Sequence, residues 1–146
     1  MLIEAAYSPT QEKPSFETAY EDGRIRQWLD NFSYREGDIA LIAEDTDTVP
    51  VGAVLCRIFH ANQFIGEVGY VNDFIPAIAI GVAPERRNQG IGSLLLKKLT
   101  SKAYNDGYKK LSLCVGKTNP ALRLYLREGF EIVRQEGSSI IMLRNF

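Results

Sequence analysis

Between Val82 and Ser93 the chain reads Val-Ala-Pro-Glu-Arg-Arg-Asn-Gln-Gly-Ile-Gly-Ser, residue types and spacing that suit the binding of a phosphate group. An apolar run, Ala77 to Val82, enters this stretch, and helix-spaced leucines leave it. A helix that opens near Gly90 presents backbone N–H groups without internal partners, at the positive end of its dipole. Gly90 and Gly92 lack Cβ atoms, so a phosphate or ligand backbone can come close. A diphosphate would satisfy the orphan donors of Gln89 through Ser93, with Arg87 as a charge partner. The same two glycines also suit a tight strand-to-helix turn that binds nothing. A P-loop is excluded because no Gly-Lys-Ser/Thr follows, and the third glycine and downstream acid of a dinucleotide fingerprint are missing.

A second group of chemically capable residues follows Asn119-Pro120. Ala121, Leu124 and Tyr125 form an i, i+3, i+4 set, which by spacing alone reads as core packing. The phenol of Tyr125 is also an acid able to protonate a leaving group. Glu67 and Asp73 are carboxylates that could take a proton directly or through a water, or be ordinary solvated acids. His60 is the single histidine and has no companion ligand, so a structural or exposed role is the default. Cys114 reads as a small buried residue on a strand, with a covalent role as the alternative.

The elements that must position these residues are legible in part. Gly37-Asp38 introduces a strand from Ile39 to Ala43, a polar turn from Asp45 to Thr48 follows, and Val51 to Phe59 forms the second arm of a hairpin. Phe64 to Val71 has the composition of a third strand, interrupted by Gly66 and Gly69. Ile78 to Val82 reads as a strand buried on both faces. A helix follows with Ile91, Leu94, Leu95, Leu99 and Ala103 inward, lysines 97, 98 and 102 outward, and Gly107 at its end. Lys110 to Val115 is a short strand. Asn119-Pro120 starts a second helix that ends at Gly129. Phe130 to Arg134 and Ser139 to Leu143 close the chain as a hairpin around Glu136-Gly137. Helical periodicity also appears around Ile25, Trp28, Leu29 and Phe32. The sum is one mixed α/β domain over residues 1–146, with a helical part over 1–36.

Composition narrows the class of function. The chain has 146 residues, 45% hydrophobic and 24% charged, with a formal net charge of −1. Such a balance offers no global basic field for nucleic acid or an anionic membrane. Two cysteines, Cys56 and Cys114, make no disulfide framework, and no metal-ligand spacing occurs. No window approaches the roughly 18 apolar residues of a membrane span, and the first residues lack a basic, apolar leader. A cytoplasmic location, without metal, nucleic acid or membrane, is the expectation.

From Pro76 to Leu143 the sequence resembles the core of the GNAT N-acetyltransferases. Their Arg/Gln-x-x-Gly-x-Gly/Ala motif is matched by Arg87-Asn88-Gln89-Gly90-Ile91-Gly92. Their later segment is matched by Asn119-Pro120-Ala121-Leu122-Arg123-Leu124-Tyr125-Leu126-Arg127-Glu128-Gly129-Phe130. With the Gly37-Asp38 hairpin the likeness covers residues 37–143. It implies a mostly antiparallel twisted sheet with splayed central strands and flanking helices, and an acetyl-CoA-binding core over 76–143. The resemblance implies that Arg87, Asn88, Gln89, Gly90, Ile91, Gly92 and Ser93 hold the CoA diphosphate. Ile80 and Val82 would contact the pantetheine arm, the Val82 amide would hold the thioester carbonyl, and Asn119 would bond the arm near its far end. Tyr125 matches the family's general acid. Many relatives carry an acid where this chain has Ala77, which leaves Glu67 and Asp73 as candidate bases.

The resemblance also implies an amine acceptor, in a pocket drawn from Trp28, Phe32, Tyr34, Phe59 and Phe74. A non-catalytic acyl-CoA sensor of the same fold is the alternative. At the N-terminus, Met1 to Ala6 looks like the end of the family's first helix rather than its first strand. An absent strand would leave a sheet edge bare, and a homodimer or a chain that begins inside the native domain is then expected.

Overall fold

The computed structural model describes residues 12–146; the reading of Met1 to Ala6 lies outside them. Among the described residues two short helices come first, α1 (Phe16–Glu21) and α2 (Arg26–Leu29), followed by strands β1 (Ile39–Glu44) and β2 (Pro50–Arg57). Then come β3 (Ala77–Val82), a 3-10 turn (Pro84–Arg86), helix α3 (Ile91–Asn105) and β4 (Lys110–Gly116). Helix α4 (Ala121–Arg127) and strands β5 (Glu131–Glu136) and β6 (Ser139–Asn145) complete the chain. The expected order of hairpin, strand, helix, strand, helix, hairpin is the observed one.

Among the described residues six strands form one sheet in the order β1-β2-β3-β4-β6-β5, with β1 at one edge. Every neighbouring pair is antiparallel except β3 and β4. Those two are parallel and share a single register pair, Ala77 with Ser112. Beyond it they part, and this gap organises the site.

Each face of the sheet has its own apolar cluster. One gathers Val54, Cys56, Ile78, Leu111, Leu113, Tyr125, Phe130 and Met142 beneath α3. Helix α3 turns Leu95, Leu96, Leu99 and Ala103 inward. The sequence reading placed Leu94 inward and omitted Leu96; Leu94 is 54% exposed and Leu96 only 1%. Three adjacent leucines satisfy helical periodicity in either phase, and packing on β1, β2 and β3 selects one. The helix ends as expected: Gly107 has φ +96°, its amide donates to Tyr104 O, and that of Tyr108 donates to Ala103 O.

The opposite face carries Trp28, Leu55, Phe59, Val68 and Ala77. Trp28 and Phe59 meet edge to face at 4.8 Å. Here the sequence reading needs a correction: Phe64 to Val71 is not a strand. Gly66 and Gly69 adopt φ of +67° and +85°, which no regular strand accommodates. The segment is instead an irregular strap over residues 61–75 that lies against β4. A Cβ at Gly69 would stand 2.6 Å from the backbone carbon of Leu113. Gly69→Ala therefore combines a positive φ with a collision against strand backbone, and should cost about 2–3 kcal/mol. Urea unfolding checks this, with Gly107→Ala, at a helix cap with open space around it, as the milder comparison.

Candidate active site

Strand geometry determines what the gap offers. In a strand, alternate residues direct their N–H and C=O groups to opposite neighbours. The Ala83 amide bonds Val51 O on β2 at 2.9 Å, so the main-chain groups of Val82 and Ile80 face the other way, toward β4. On β4, the Ser112 amide bonds Pro76 O at 3.0 Å, so the groups of Cys114 and Gly116 face β3. Past the Ala77–Ser112 rung the two rows are too far apart to pair. An extended ligand carrying amides would fit there as an added strand.

The gap opens into a cleft of about 650 Å³. Ile78, Ala79 and Ile80 line it from β3, Cys114, Val115 and Gly116 from β4, Asn119 from just before α4 and Tyr125 from within it. Glu67 and Val68 of the strap and Gln27 and Trp28 of α2 form the opposite wall. The structure thus brings Ile80, Asn119, Tyr125 and Glu67 together around one cavity.

Asn119 Oδ1 accepts from the Ala121 amide at 2.9 Å, starting α4 as its sequence predicts. This leaves the carboxamide N–H donors to address a carbonyl. Tyr125 is buried, and burial pushes its phenol well above the ordinary 10.0, with the Cys114 charge adding to the effect. Its ring meets Phe130 edge to face at 6.0 Å. The ring thus packs, as the i, i+3, i+4 spacing predicts, and the residue also lines the cleft.

Beyond the outer end of β3 lies the loop from Arg87 to Ser93. The first α-helical bond of α3 runs from the Leu94 amide to Gly90 O at 3.0 Å, and no side chain caps the helix among the described residues. The amides of Ile91, Gly92 and Ser93 are thus the orphan donors of a fifteen-residue helix. Gly90 has φ +84° with nothing within 4 Å of a Cβ position, and Asn88 has φ +59°. The two glycines differ from each other in their surroundings. Gly90 serves the left-handed turn, whereas a Cβ on Gly92 would meet Leu124 Cδ2 of α4 at 3.0 Å. Gly92 lets the two helices approach.

Side chains hold the loop in shape. Arg87 Nε donates to Val82 O at 3.2 Å, at the mouth of the gap, and Gln89 Nε2 donates to Glu85 O. Arg86 bonds Asp45 of the β1–β2 turn at 2.8 Å, while the Asp45 carboxylate also accepts the amides of Asp47 and Val49. Those contacts, the Val49 amide foremost, draw the Asp45 carboxyl below its ordinary pKa. The Ser93 hydroxyl donates to the buried Glu128 carboxylate.

The two candidate carboxylates separate. Glu67 lines the cleft, with Oε2 3.7 Å from Cys114 Sγ. Burial, with the Glu67 charge secondary, pushes that thiol up to about 12. Asp73 lies outside the cleft wall: it accepts from Tyr70 Oη at 2.6 Å and the Ala61 amide at 3.0 Å, with His60 at 3.6 Å. Its carboxyl is held below the ordinary range, chiefly by the Tyr70 hydrogen bond. Of the aromatic residues expected at the acceptor pocket, Trp28 lines the cleft, Phe59 is packed core, and Phe32 packs at the edge of that cluster. Tyr34 and Phe74 are 89% and 82% exposed. Sequence reasoning missed Gln27, Val68, Thr118 and Ser139 of the lining. Val68 and Thr118 adjoin the candidates Glu67 and Asn119, whereas Gln27 and Ser139 are marked only by fold neighbours distant in sequence. Among the described residues no cluster of His, Cys, Asp and Glu could hold a metal, and no helix is long and apolar enough to cross a membrane.

A sheet parted between two parallel strands, beside an uncapped helix start, is the frame of the candidate site. The model of the acetyltransferase (GNAT) family matches residues 3–130, and the chain belongs to that family. Among curated proteins none matches. Solved structures agree on the fold. The GNAT domain of PAT from S. lividans superposes with a TM-score of 0.70 at 14% identity, covering 99% of this chain and 78% of that one. A GNAT family acetyltransferase from Elizabethkingia anophelis, solved with acetyl-CoA bound, gives 0.62 at 23% identity over 96% and 95%. The PaiA N-acetyltransferase from Thermoplasma acidophilum, in complex with coenzyme A, gives 0.60 at 19% identity over 84% and 67%.

Proposed function

We propose that this enzyme transfers an acetyl group from acetyl-CoA to a primary amine of a small molecule or peptide, directly and through a tetrahedral intermediate. The observation that carries the reading is the parted β3–β4 pair. It leads from the orphan amides of α3 to a cleft with Tyr125 and Glu67 in its walls. The pantetheine arm lies between Ile80 and Cys114, bonded by the main chain of Ile80 and Val82 and by Asn119. Its diphosphate rests on the amides at the start of α3, with Arg87 beside it. That CoA and acetyl-CoA occupy two relatives supports this assignment.

The amine attacks the thioester carbonyl, and the Val82 amide supports the oxygen as it becomes an oxyanion. Collapse breaks the C–S bond, and Tyr125 gives its proton to the departing thiolate. The proton lost by the amine goes to Glu67, directly or through water. Asp73, committed to Tyr70 and Ala61, holds the strap instead.

Calorimetric titration with acetyl-CoA, followed by thiol release against a panel of primary amines, tests the reading. Saturable binding with amine-dependent thiol release is the expected result. Binding without release on any amine would leave only a sensor of acyl-CoA, and no binding would remove the assignment altogether.

A further inference from the structure

We infer that Gln27 is a positioning residue that holds the 61–75 strap so that Glu67 stands over Cys114 in the cleft. Its carboxamide grips Ile65 at two points. Nε2 donates to Ile65 O at 2.9 Å, and Oε1 accepts the Ile65 amide at 2.9 Å. A carboxamide that satisfies both main-chain groups of one residue does the work of a neighbouring strand, which the strap lacks. Nε2 also donates to Arg24 O at 3.0 Å, which orients the amide plane.

The grip is anchored from behind. Arg57, wholly buried, donates to Gln27 O at 2.9 Å and Asp30 O at 2.8 Å, fixing the backbone from which the Gln27 side chain reaches out. From Ile65 the chain turns at Gly66 and arrives at Glu67. On the far side Gly69 is pressed against β4. Glu67 is therefore suspended between two fixed points, Ile65 and Gly69, and Gln27 supplies the first. The inference rests on the acyl-transfer reading only for what Glu67 does; its position is tested without turnover.

The test is alkylation by iodoacetamide, followed by mass spectrometry of the whole chain, with a Cys114→Ser variant to assign the label. Cys56 is fully buried and Cys114 only partly, so the two thiols report global and local opening separately. Gln27→Ala should raise the Cys114 rate by about tenfold while Cys56 stays unlabelled. A Cys114 rate within about twofold of wild type, less than the loss of one net hydrogen bond would give, would overturn the inference. If Cys56 also reacts, the decision passes to Gln27→Glu, which keeps the acceptor for the Ile65 amide and loses both donors. A rise at Cys114 alone then supports the grip, and no rise refutes it. With an amine that the wild type acetylates, Gln27→Ala should lower kcat and kcat/KM for the amine and leave KM for acetyl-CoA unchanged. A wild type that acetylates no amine removes the acyl-transfer reading and leaves the labelling result standing.

Discussion

Tyr125→Phe is expected to lower kcat by about 10²- to 10⁴-fold, the usual loss when a general acid is removed. The substitution deletes one oxygen and keeps the ring, so the edge-to-face contact with Phe130 and the packing beneath α3 survive. Acetyl-CoA affinity should change by less than about threefold, because the lost interaction belongs to the departing sulfur. Burial raises the phenol above 10.0, so its proton is in place throughout the neutral range. Any alkaline decline in kcat due to this group therefore lies above pH 10, and a decline centred near neutrality must come from another residue or the amine. Single-turnover thiol release with both proteins decides the matter. A variant as fast as wild type would return Tyr125 to a packing role only.

Arg57→Ala should destabilise the fold by about 3–5 kcal/mol, since it strands a buried carboxylate. The Arg57 and Asp38 side chains are both 0% exposed and meet through two hydrogen bonds, of 2.8 and 2.7 Å. The same guanidinium closes the carbonyls of Gln27 and Asp30 and lies over the Phe32 ring at 5.2 Å. One residue at the end of β2 thereby ties the start of β1 to α2 and its following turn. Replacing both charges, Arg57→Met with Asp38→Leu, should cost less than Arg57→Ala, because no charge remains unpaired. Urea unfolding midpoints measure the difference. A loss below about 1 kcal/mol for Arg57→Ala would mean that water reaches the Asp38 carboxylate.

The strands, α3 and α4 were legible because their signals are local. Alternating or continuous apolar runs mark β1 to β4, and Gly107 and Gly129 end the helices with φ of +96° and +87°. The candidate site was legible where it follows from those elements: the orphan amides of α3, and Asn119 with Tyr125 on α4. What could not be read depends on partners far away in the chain. Phe64 to Val71 has strand composition, yet Gly69 is needed for contact with Leu113, more than forty residues on. Glu67 and Asp73 look alike in sequence. Hydrogen bonds from Tyr70 and Ala61 commit one, and the grip of Gln27 on Ile65 presents the other. Arg57 follows an apolar strand, and nothing nearby announces that Asp38 will neutralise it. The aromatic residues sorted by available space: Trp28 and Phe59 found each other, while Tyr34 and Phe74 remained in solvent.

The single rung between β3 and β4 also bears on how the chain assembles itself. On one side of it stand β1, β2 and β3, built from residues 39–82; on the other stand β4, β6 and β5, from residues 110–145. Each trio is a contiguous stretch of chain with antiparallel neighbours throughout, and α3 packs on the first trio, α4 on β4. The β1–β2 and β5–β6 hairpins pair close in sequence, the circumstance that favours rapid folding. Lys110, by contrast, pairs with Asn145 across as long a stretch of chain as Ala77 with Ser112, so each half must also bring distant segments together. Each half thus closes on its own hydrogen bonds, a single rung seams them, and the gap that the proposed site occupies takes little pairing away from the folded sheet.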